Sequence, residues 1–456
     1  MKKYSTSPTD ENAIEMFRSD SIGRNEEIIR FINLLDAIDD GCAIALNGKW
    51  GSGKTFFIKQ IKLIMDYSNP HSDMEGETRN ALETALSTLA YKCSESYATV
   101  YYDAWANDNA EDPILSLIYT AIKSNQANIK PENKKNLSEV VAAIADVVTG
   151  KNISTLLEKV KGEDLFESIK REGDIQQLVK DFVQALIDER ADQLVIFIDE
   201  LDRCKPEYAI QLLERIKHYF DDERIIFVFS VNLGQLQHTV KGYYGAGFDA
   251  TRYLDKFFDL RVSLPEINYD TYLGSRFNFI MTDWIYDATC IEVIKYFRFS
   301  LRETERFIRL ARIACQRYRY PGDLFDERAF LFALMYFVPI IIGLSMENID
   351  AYNRFVAGIH PGPLCEILLK PERTRIVDYL LTGNECFSET EKKDDSYMVV
   401  SIEERLRAAY AALFPKTHDP RHPHRSVGQM TFSQETYKVI NQITSLLSSA
   451  CDYGFE

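Results

Sequence analysis

The chain has 456 residues, of which 46% are hydrophobic and 27% are charged, a composition typical of a folded globular protein rather than a disordered one. Its net charge of −16 excludes a surface that is basic overall and so argues against nucleic acid as a partner, although a local basic patch is compatible with it. The eight cysteines are scattered singly, as in reduced cytosolic proteins, so we expect a cytoplasmic protein.

Residues 1–19 are polar and lack the apolar core of a signal peptide, so we predict a polar leader. A helix is predicted to begin at Asp20, because Ile28, Ile32 and Leu35 recur at helical spacing. Turn-forming residues end this helix just before the first apolar run.

A glycine-rich segment, Gly48–Thr55, reads GKWGSGKT and follows the apolar run Cys42–Leu46, which is typical of a buried strand. A helix is predicted directly after it. A strand, a G-x-x-x-x-G-K-T loop and a helix in this order predict a phosphate-binding loop, whose backbone N–H groups and helix N-terminus bind an anion. Lys54 would reach the β- and γ-phosphates, and the Thr55 hydroxyl would hold Mg²⁺. The predicted nucleotide-binding residues of the segment are Gly48, Trp50, Gly51, Ser52, Gly53, Lys54, Thr55 and Phe56.

A second apolar run, Gln193–Ile198, ends in two carboxylates, Asp199 and Glu200. Because burying unpaired carboxylates is costly, acids at the end of a buried strand indicate a function. Asp199 is predicted to hold Mg²⁺ through water, and Glu200 to orient and polarise the attacking water. Helix capping is the alternative for the nearby Asp202, but it does not account for all three acids. The two motifs together predict Mg²⁺-dependent hydrolysis of a nucleoside triphosphate.

Two further runs, Thr99–Trp105 and Ile225–Val231, are predicted strands, because they are rich in β-branched and aromatic residues. Helical spacing over Tyr208–Phe220 separates Asp199 from the last of these strands. Repeated strand–helix–strand units predict an α/β fold, a three-layer P-loop NTPase with a parallel sheet. The long separation between the two motifs predicts a helical insertion at about residues 110–175.

Beyond residue 265 strand patterns become sparse, so we predict a mostly α-helical C-terminal region. Within it, the uncharged segment Ala329–Met346 approaches the length of a membrane-spanning helix. Because Pro339 and Gly343 interrupt this segment, we predict a buried helix pair, with a membrane segment as the alternative.

Several stretches together resemble the KAP family of P-loop NTPases. They are Gly48–Thr55, Tyr102–Trp105 (YDAW), Phe197–Cys204 (FIDELDRC), Tyr253–Pro265 and Ser300–Ile308. The resemblance implies an ATPase of the additional-strand class, related to AAA+ and signalling ATPases, with ATP and Mg²⁺ as cofactors. Members of this family often sit at membranes, act as signalling or scaffold ATPases, or take part in bacterial exclusion of phage.

The resemblance also implies further site residues. Asn232, where the family commonly has Asp, would sense the γ-phosphate, since an amide can still hydrogen-bond a phosphate or the water. Arg302 would neutralise γ-phosphate charge, although this sequence lacks the proline usual before that arginine. Ile22, Gly23 and Arg24 resemble the stretch that packs on adenine in AAA+ and signalling ATPases, with an ordinary helix start as the alternative. Other candidates for the role of Arg302 are Arg203, Arg252, Lys256 and Arg306.

We therefore predict a polar leader at 1–19, a P-loop NTPase domain at 20–265, a helical lid at 266–345 and a C-terminal helical partner-binding region at 346–456. The expected protein is a soluble Mg²⁺-dependent ATP switch that acts with a protein partner or as a homo-oligomer. One alternative is a membrane-peripheral scaffold that docks Ala329–Met346 in lipid. Another is a nucleic-acid-associated motor, which would need a basic channel.

Overall fold

The computed structural model describes residues 8–72, 74–86, 95–124, 179–180, 183–184, 186–187, 191–276, 284–316, 326–370, 390–393, 396–399, 401–415 and 424–452. Most of the predicted insertion at 110–175 lies outside these residues. The chain divides into two units, Met1–Thr271 and Tyr272–Glu456.

The first unit alternates strands and helices along the chain. Its elements are α1 (Asp10–Ser19), α2 (Asn25–Asp36), β1 (Cys42–Asn47), α3 (Lys54–Ser68), α4 (Gly76–Leu86), β2 (Tyr97–Asp103), α5 (Pro113–Ser124), β3 (Gln193–Asp199), a 3₁₀ turn (Leu201–Arg203), α6 (Pro206–Tyr219), β4 (Ile225–Val231), α7 (Leu233–Tyr244), α8 (Ala250–Leu254) and β5 (Leu260–Ser263). The helix α9 (Tyr269–Arg276) spans the boundary between the units.

The central sheet has five parallel strands in the order β2–β3–β4–β1–β5. The predicted parallel α/β fold is therefore confirmed. The strand β4 lies between β1, which leads into the glycine loop, and β3, which ends in Asp199. This intervening strand is the additional strand that the sequence resemblance implied.

The register of the strands brings their polar ends together. Asp199 of β3 lies opposite Asp103 of β2 on one side and Ser230 of β4 on the other, and Val231 of β4 lies opposite Asn47 of β1. Because all these strands run in the same direction, their carboxyl ends meet at one edge of the sheet, where open α/β sheets bind ligands.

Both faces of the sheet are buried. In β3, Leu194, Ile196 and Ile198 belong to a core shared with α5, α6 and α7, whereas Val195 and Phe197 belong to a core shared with α1, α2, α3 and α4. Strands covered on both faces read as continuous apolar runs, which is why the sequence shows no alternation here. The helices thus form the two outer layers around the sheet.

The N-terminal segment contains a helix where the sequence analysis expected a polar leader. Helix α1 buries Ala13, Ile14 and Phe17 and contacts α3 and α4. The hydroxyl of Thr9 caps it by accepting from the backbone of Asn12. Three apolar residues among charged ones give a weak helical periodicity, which was not recognised without the surface of α3 and α4 on which the helix packs. The next helix also begins later than expected, at Asn25 rather than Asp20.

The second unit is mostly helical. Its elements are α10 (Trp284–Phe297), α11 (Leu301–Gln316), α12 (Glu327–Phe332), a π-helical turn (Ala333–Phe337), α13 (Val338–Glu347), α14 (Ile349–Val356), α15 (Gly362–Leu368), β6 (Thr390–Lys393), β7 (Ser396–Val399), α16 (Ile402–Leu413), β8 (His424–Val427), β9 (Met430–Ser433) and α17 (Gln434–Asp452). Two antiparallel pairs, β6–β7 and β8–β9, add strands that the sequence did not predict.

The uncharged segment of the second unit forms one continuous helix, Glu327–Glu347, rather than the predicted helix pair. Pro339 causes no break, because it follows the π-helical turn and lies in the first turn of α13. Helix α13 packs against α10, α11, α14 and α17. Within the described residues this is the one helix long and apolar enough to cross a membrane, and 83% of its most apolar window is buried inside the protein. Such a helix is weak evidence for a membrane span, since core helices share its composition.

We expect replacement of Phe17 by Ala to lower the free energy of unfolding of the first unit by about 3 kcal/mol, because the ring is 2% exposed and its loss leaves a cavity. Arg18 forms an exposed ion pair with Glu15 on the same helix, so Arg18→Ala should change that energy by less than about 0.5 kcal/mol. Urea unfolding followed by circular dichroism measures both. Equal midpoints for Phe17→Ala and the parent protein would mean that α1 does not contribute to the core.

Candidate nucleotide site

The glycine loop leaves β1 and ends at the first residue of α3, Lys54. Gly51 and Gly53 have φ angles of +74° and +93°, a left-handed conformation that side chains other than glycine rarely adopt. At Gly48 a Cβ atom would lie 2.9 Å from Ser52 Oγ, so the loop also needs glycine for space. The loop therefore closes tightly around the N-terminus of α3.

The lysine and serine of the loop are suited to an anion. Lys54 is 8% exposed, and its Nζ donates to the carbonyl oxygen of Gly48 at 2.8 Å. Burial lowers the pKa of Lys54 from its ordinary value, although the carboxylates of Asp202 and Asp199 act in the opposite direction. Ser52 Oγ is buried and has no hydrogen-bond partner among the described residues. An unpaired hydroxyl beside a buried ammonium group fits a phosphate chain.

The two predicted metal-binding residues are in direct contact. Thr55 Oγ1 donates to Asp199 Oδ2 at 2.6 Å, and Asp199 is 1% exposed. Hydroxyl and carboxylate oxygens are the hard ligands that Mg²⁺ prefers, so this pair fits that ion. The structure thus joins the glycine loop to the end of β3.

Two residues that the sequence analysis missed also hold Asp199. Ser230 Oγ donates to Asp199 Oδ1 at 2.6 Å, and the Tyr101 hydroxyl donates to Oδ2 at 3.1 Å. Burial, and then the charge of Asp199, raise the pKa of Tyr101, so this hydroxyl stays a donor. Ser230 is a polar residue inside an apolar run, which was the one sequence signal available for it.

Glu200 follows β3 directly and has a φ angle of +61°, a left-handed conformation uncommon for a residue with a side chain. Its carboxylate forms an ion pair with Nε of Arg203. Burial and the adjacent charge of Asp199 raise the pKa of Glu200 to about 7, although Arg203 acts in the opposite direction. A carboxylate with a pKa near neutrality can accept a proton from water at physiological pH.

Asn232 lies at the same edge of the sheet, immediately after β4. Its Oδ1 accepts from the backbone of Gln235 at 3.3 Å and caps α7. Asn47, at the end of β1, accepts from the backbone of Leu233 at 3.0 Å, so the two strand ends are joined. A role for Asn232 as γ-phosphate sensor stays a prediction.

The segment Ile22–Arg24 braces the loop from outside the sheet. The guanidinium of Arg24 is 5% exposed, donates to the Ser52 carbonyl oxygen at 2.9 Å and also contacts the Pro265 carbonyl. Burial lowers the pKa of Arg24 to about 10. Gly23 has a φ of +69°, and a Cβ there would lie 2.9 Å from Asn268. Ile22 is buried, and the predicted contact of this segment with adenine stays a prediction.

The remaining predicted residues are distributed over both units. Phe56 is buried in the first turn of α3, and Trp50 is 44% exposed in the loop. Arg302 belongs to the second unit, where it is exposed in the first turn of α11. Its role stays a prediction. The described residues contain no group of three or more histidine, cysteine, aspartate or glutamate side chains that could hold a metal ion.

Comparison with known proteins agrees with this geometry. A model of the KAP family P-loop domain matches residues 24–271, which is more than half of the chain and includes every strand of the central sheet. None of the curated proteins matches the chain. With the strand order, the glycine loop and the acidic end of β3 all inside the matched region, the chain belongs to the KAP family of nucleotide-binding P-loop NTPases.

Proposed function

We propose that this protein is an Mg²⁺-dependent ATPase that works as a molecular switch. The observation that carries the proposal is the contact between Thr55 and Asp199, with Glu200 next in the chain. A hydroxyl and a carboxylate in contact at the end of a phosphate-binding loop supply metal ligands, and the neighbouring acid supplies a base.

The residues of the loop would bind different parts of the nucleotide and its metal ion. The backbone N–H groups of Gly51–Lys54 and the Ser52 hydroxyl would bind the phosphate chain. The Lys54 ammonium group, which donates a hydrogen bond to the Gly48 carbonyl oxygen in the structure, would donate to phosphate oxygens instead. Thr55 would hold Mg²⁺ directly and Asp199 through water. The bound ion would neutralise charge that develops on the β- and γ-phosphate oxygens.

Glu200 would orient the attacking water and accept its proton. Its raised pKa, about 7, supports this assignment because a base with a pKa near the working pH is the most effective. Asn232 would hydrogen-bond the γ-phosphate or the water. ATP as the nucleotide is supported by the resemblance of the segment Ile22–Arg24 to the stretch that packs on adenine in AAA+ and signalling ATPases.

The second unit would report the nucleotide state to another molecule. In the proposed switch, Arg302 senses the γ-phosphate, and the helices of residues 346–456 contact a protein partner or another subunit. Nucleic acid is disfavoured as the partner by the net charge of −16. A role in antiviral defence is an analogy with other members of the family. We propose a cytoplasmic location, as the cysteine pattern suggests.

Replacement of Lys54 by Ala should weaken ATP binding by about 100-fold, because a buried charge-assisted contact to phosphate is lost. Titration calorimetry with a slowly hydrolysed ATP analogue measures the affinity. Lys62→Ala is the matched control, since Lys62 lies on the same helix and pairs with Asp66 instead. Equal affinities for Lys54→Ala and the control would contradict the assignment of the loop.

Replacement of Glu200 by Gln should lower kcat by at least about 100-fold while ATP binding changes little, because the amide cannot accept the proton of water. Steady-state release of phosphate measures kcat. Glu207→Gln, in the exposed first turn of α6, removes an acid of the same type and should leave kcat unchanged. Normal turnover by Glu200→Gln would show that another group activates the water.

Replacement of Thr55 by Val should remove most of the effect of Mg²⁺ on ATP affinity, since the methyl group cannot act as a ligand. Thr55→Ser keeps the hydroxyl and should behave like the parent protein. The measurement is ATP affinity with Mg²⁺ and with EDTA. If Mg²⁺ strengthened binding equally in Thr55→Val, the metal would have to be held by other residues.

A further inference from the structure

Two tryptophans are exposed beside the glycine loop. Trp50, in the loop after β1, is 44% exposed, and Trp105, after β2, is 53% exposed. Tryptophan is largely buried in most proteins, and the function proposed above uses no aromatic group at these positions. The two residues are far apart in the chain, but both rings lie close to the side chain of Arg203.

The guanidinium of Arg203 lies 5.9 Å from the ring centroid of Trp50 and 5.6 Å from that of Trp105. Both distances are within the range of attraction between a cation and an aromatic face. The Arg203 side chain is 22% exposed, so the interaction is partly shielded from water. Trp50 is itself held, because its Nε1 donates to Asp202 Oδ2 at 2.6 Å.

Arg203 contacts the acid that the proposed mechanism requires. It ends the 3₁₀ turn that follows β3, and its Nε pairs with the carboxylate of Glu200. The backbone of Glu200 has a left-handed conformation, but its side chain has three rotatable bonds, which allow the carboxylate several positions. The ion pair with Arg203 holds the carboxylate in one of these positions.

We propose that Arg203 positions the Glu200 carboxylate for water activation, and that Trp50 and Trp105 hold the Arg203 guanidinium in place. This inference rests on the proposed function, since it assigns positioning residues to the same reaction. The physical reason is that a base displaced by about 1 Å from its reacting proton can lose about 100-fold in rate. The glycine loop takes part through Trp50, so the loop and the base are joined by one set of contacts.

The first test compares Arg203→Gln, Glu200→Gln and the double variant in the full chain. Arg203→Gln should lower kcat by about 30-fold and change the affinity for a slowly hydrolysed ATP analogue by less than about threefold, since misplacing a base affects the reaction and not binding. The double variant should be no slower than Glu200→Gln alone, because residues that act as one unit are not additive. Arg203→Lys keeps the charge and should recover part of the rate.

The matched control is Arg30→Gln. Arg30 also pairs with a glutamate three residues earlier, Glu27, but on the exposed surface of α2. Its loss should leave kcat within about twofold, because exposed pairs contribute little. A fall of kcat in both variants would show a general effect of removing an arginine pair and would overturn the inference.

The second test uses Trp105, whose exposed ring can be replaced without leaving a cavity in the hydrophobic core. Trp105→Leu should lower kcat by about tenfold, and Trp105→Phe should recover most of this loss, because it restores an aromatic face for the cation. Neither change should slow the Arg203→Gln variant further. Tyr243→Leu, at an aromatic residue of α7 that is 45% exposed, is the control and should leave kcat unchanged.

The outcomes separate this inference from the function on which it rests. Normal turnover by Glu200→Gln would overturn the proposed mechanism. A slow Glu200→Gln variant beside normal turnover by Arg203→Gln would overturn the inference alone. Faster turnover by Arg203→Gln would mean that the ion pair holds Glu200 away from the reacting water, and it would overturn the inference. If Arg203→Gln bound ATP more weakly with an unchanged kcat, Arg203 would be a phosphate-binding residue, and this result too would overturn the inference.

Discussion

The hydrogen bond from Thr55 to Asp199 is the contact on which the arrangement of the site depends. It connects the helix after the glycine loop to the end of β3 across one strand of the sheet, since β4 lies between β1 and β3. Asp199 is almost fully buried, and a buried carboxylate is costly unless donors surround it. Thr55, Ser230, Tyr101 and the backbone of Glu200 supply four donors to its two oxygens.

These donors come from four different elements, α3, β4, β2 and the turn after β3. A shift of one residue in any of the strand pairings would turn a donor to the opposite face of the sheet. The apolar runs that fill the two cores therefore also set the geometry of the polar edge. The packing of the two cores and the hydrogen bonds to Asp199 therefore both require the same strand register.

Charge is balanced within the site by a few close contacts. Burial, and then repulsion by the charges of Asp199 and Asp202, raise the pKa of Glu200. Lys54 and Arg203 act in the opposite direction. A phosphate chain with its metal would draw Lys54 from the loop carbonyl and supply new cationic charge beside Asp199. Binding of nucleotide would thereby change the electrostatic environment of Glu200.

The amino-acid sequence by itself determined the family, the α/β fold and the central pair of motifs. Three features are local patterns: the spacing of GKWGSGKT, the apolar strands around it and the acids after Ile198. Local patterns can be recognised without knowing which residues lie on the neighbouring strands. The same locality explains what was missed at the N-terminus, where α1 is recognisable as a helix only beside α3 and α4.

Only the tertiary structure decided which side chains meet at the site. Ser230 and Tyr101 reach Asp199 because of strand order and register, and Arg203 reaches two tryptophans because β2 and the glycine loop end at the same edge of the sheet. Arg24 likewise reaches the Ser52 carbonyl oxygen of the loop, a contact that its place in the sequence does not reveal. Contacts between residues tens of positions apart depend on packing of the whole sheet, and a single sequence records the residues but not that packing.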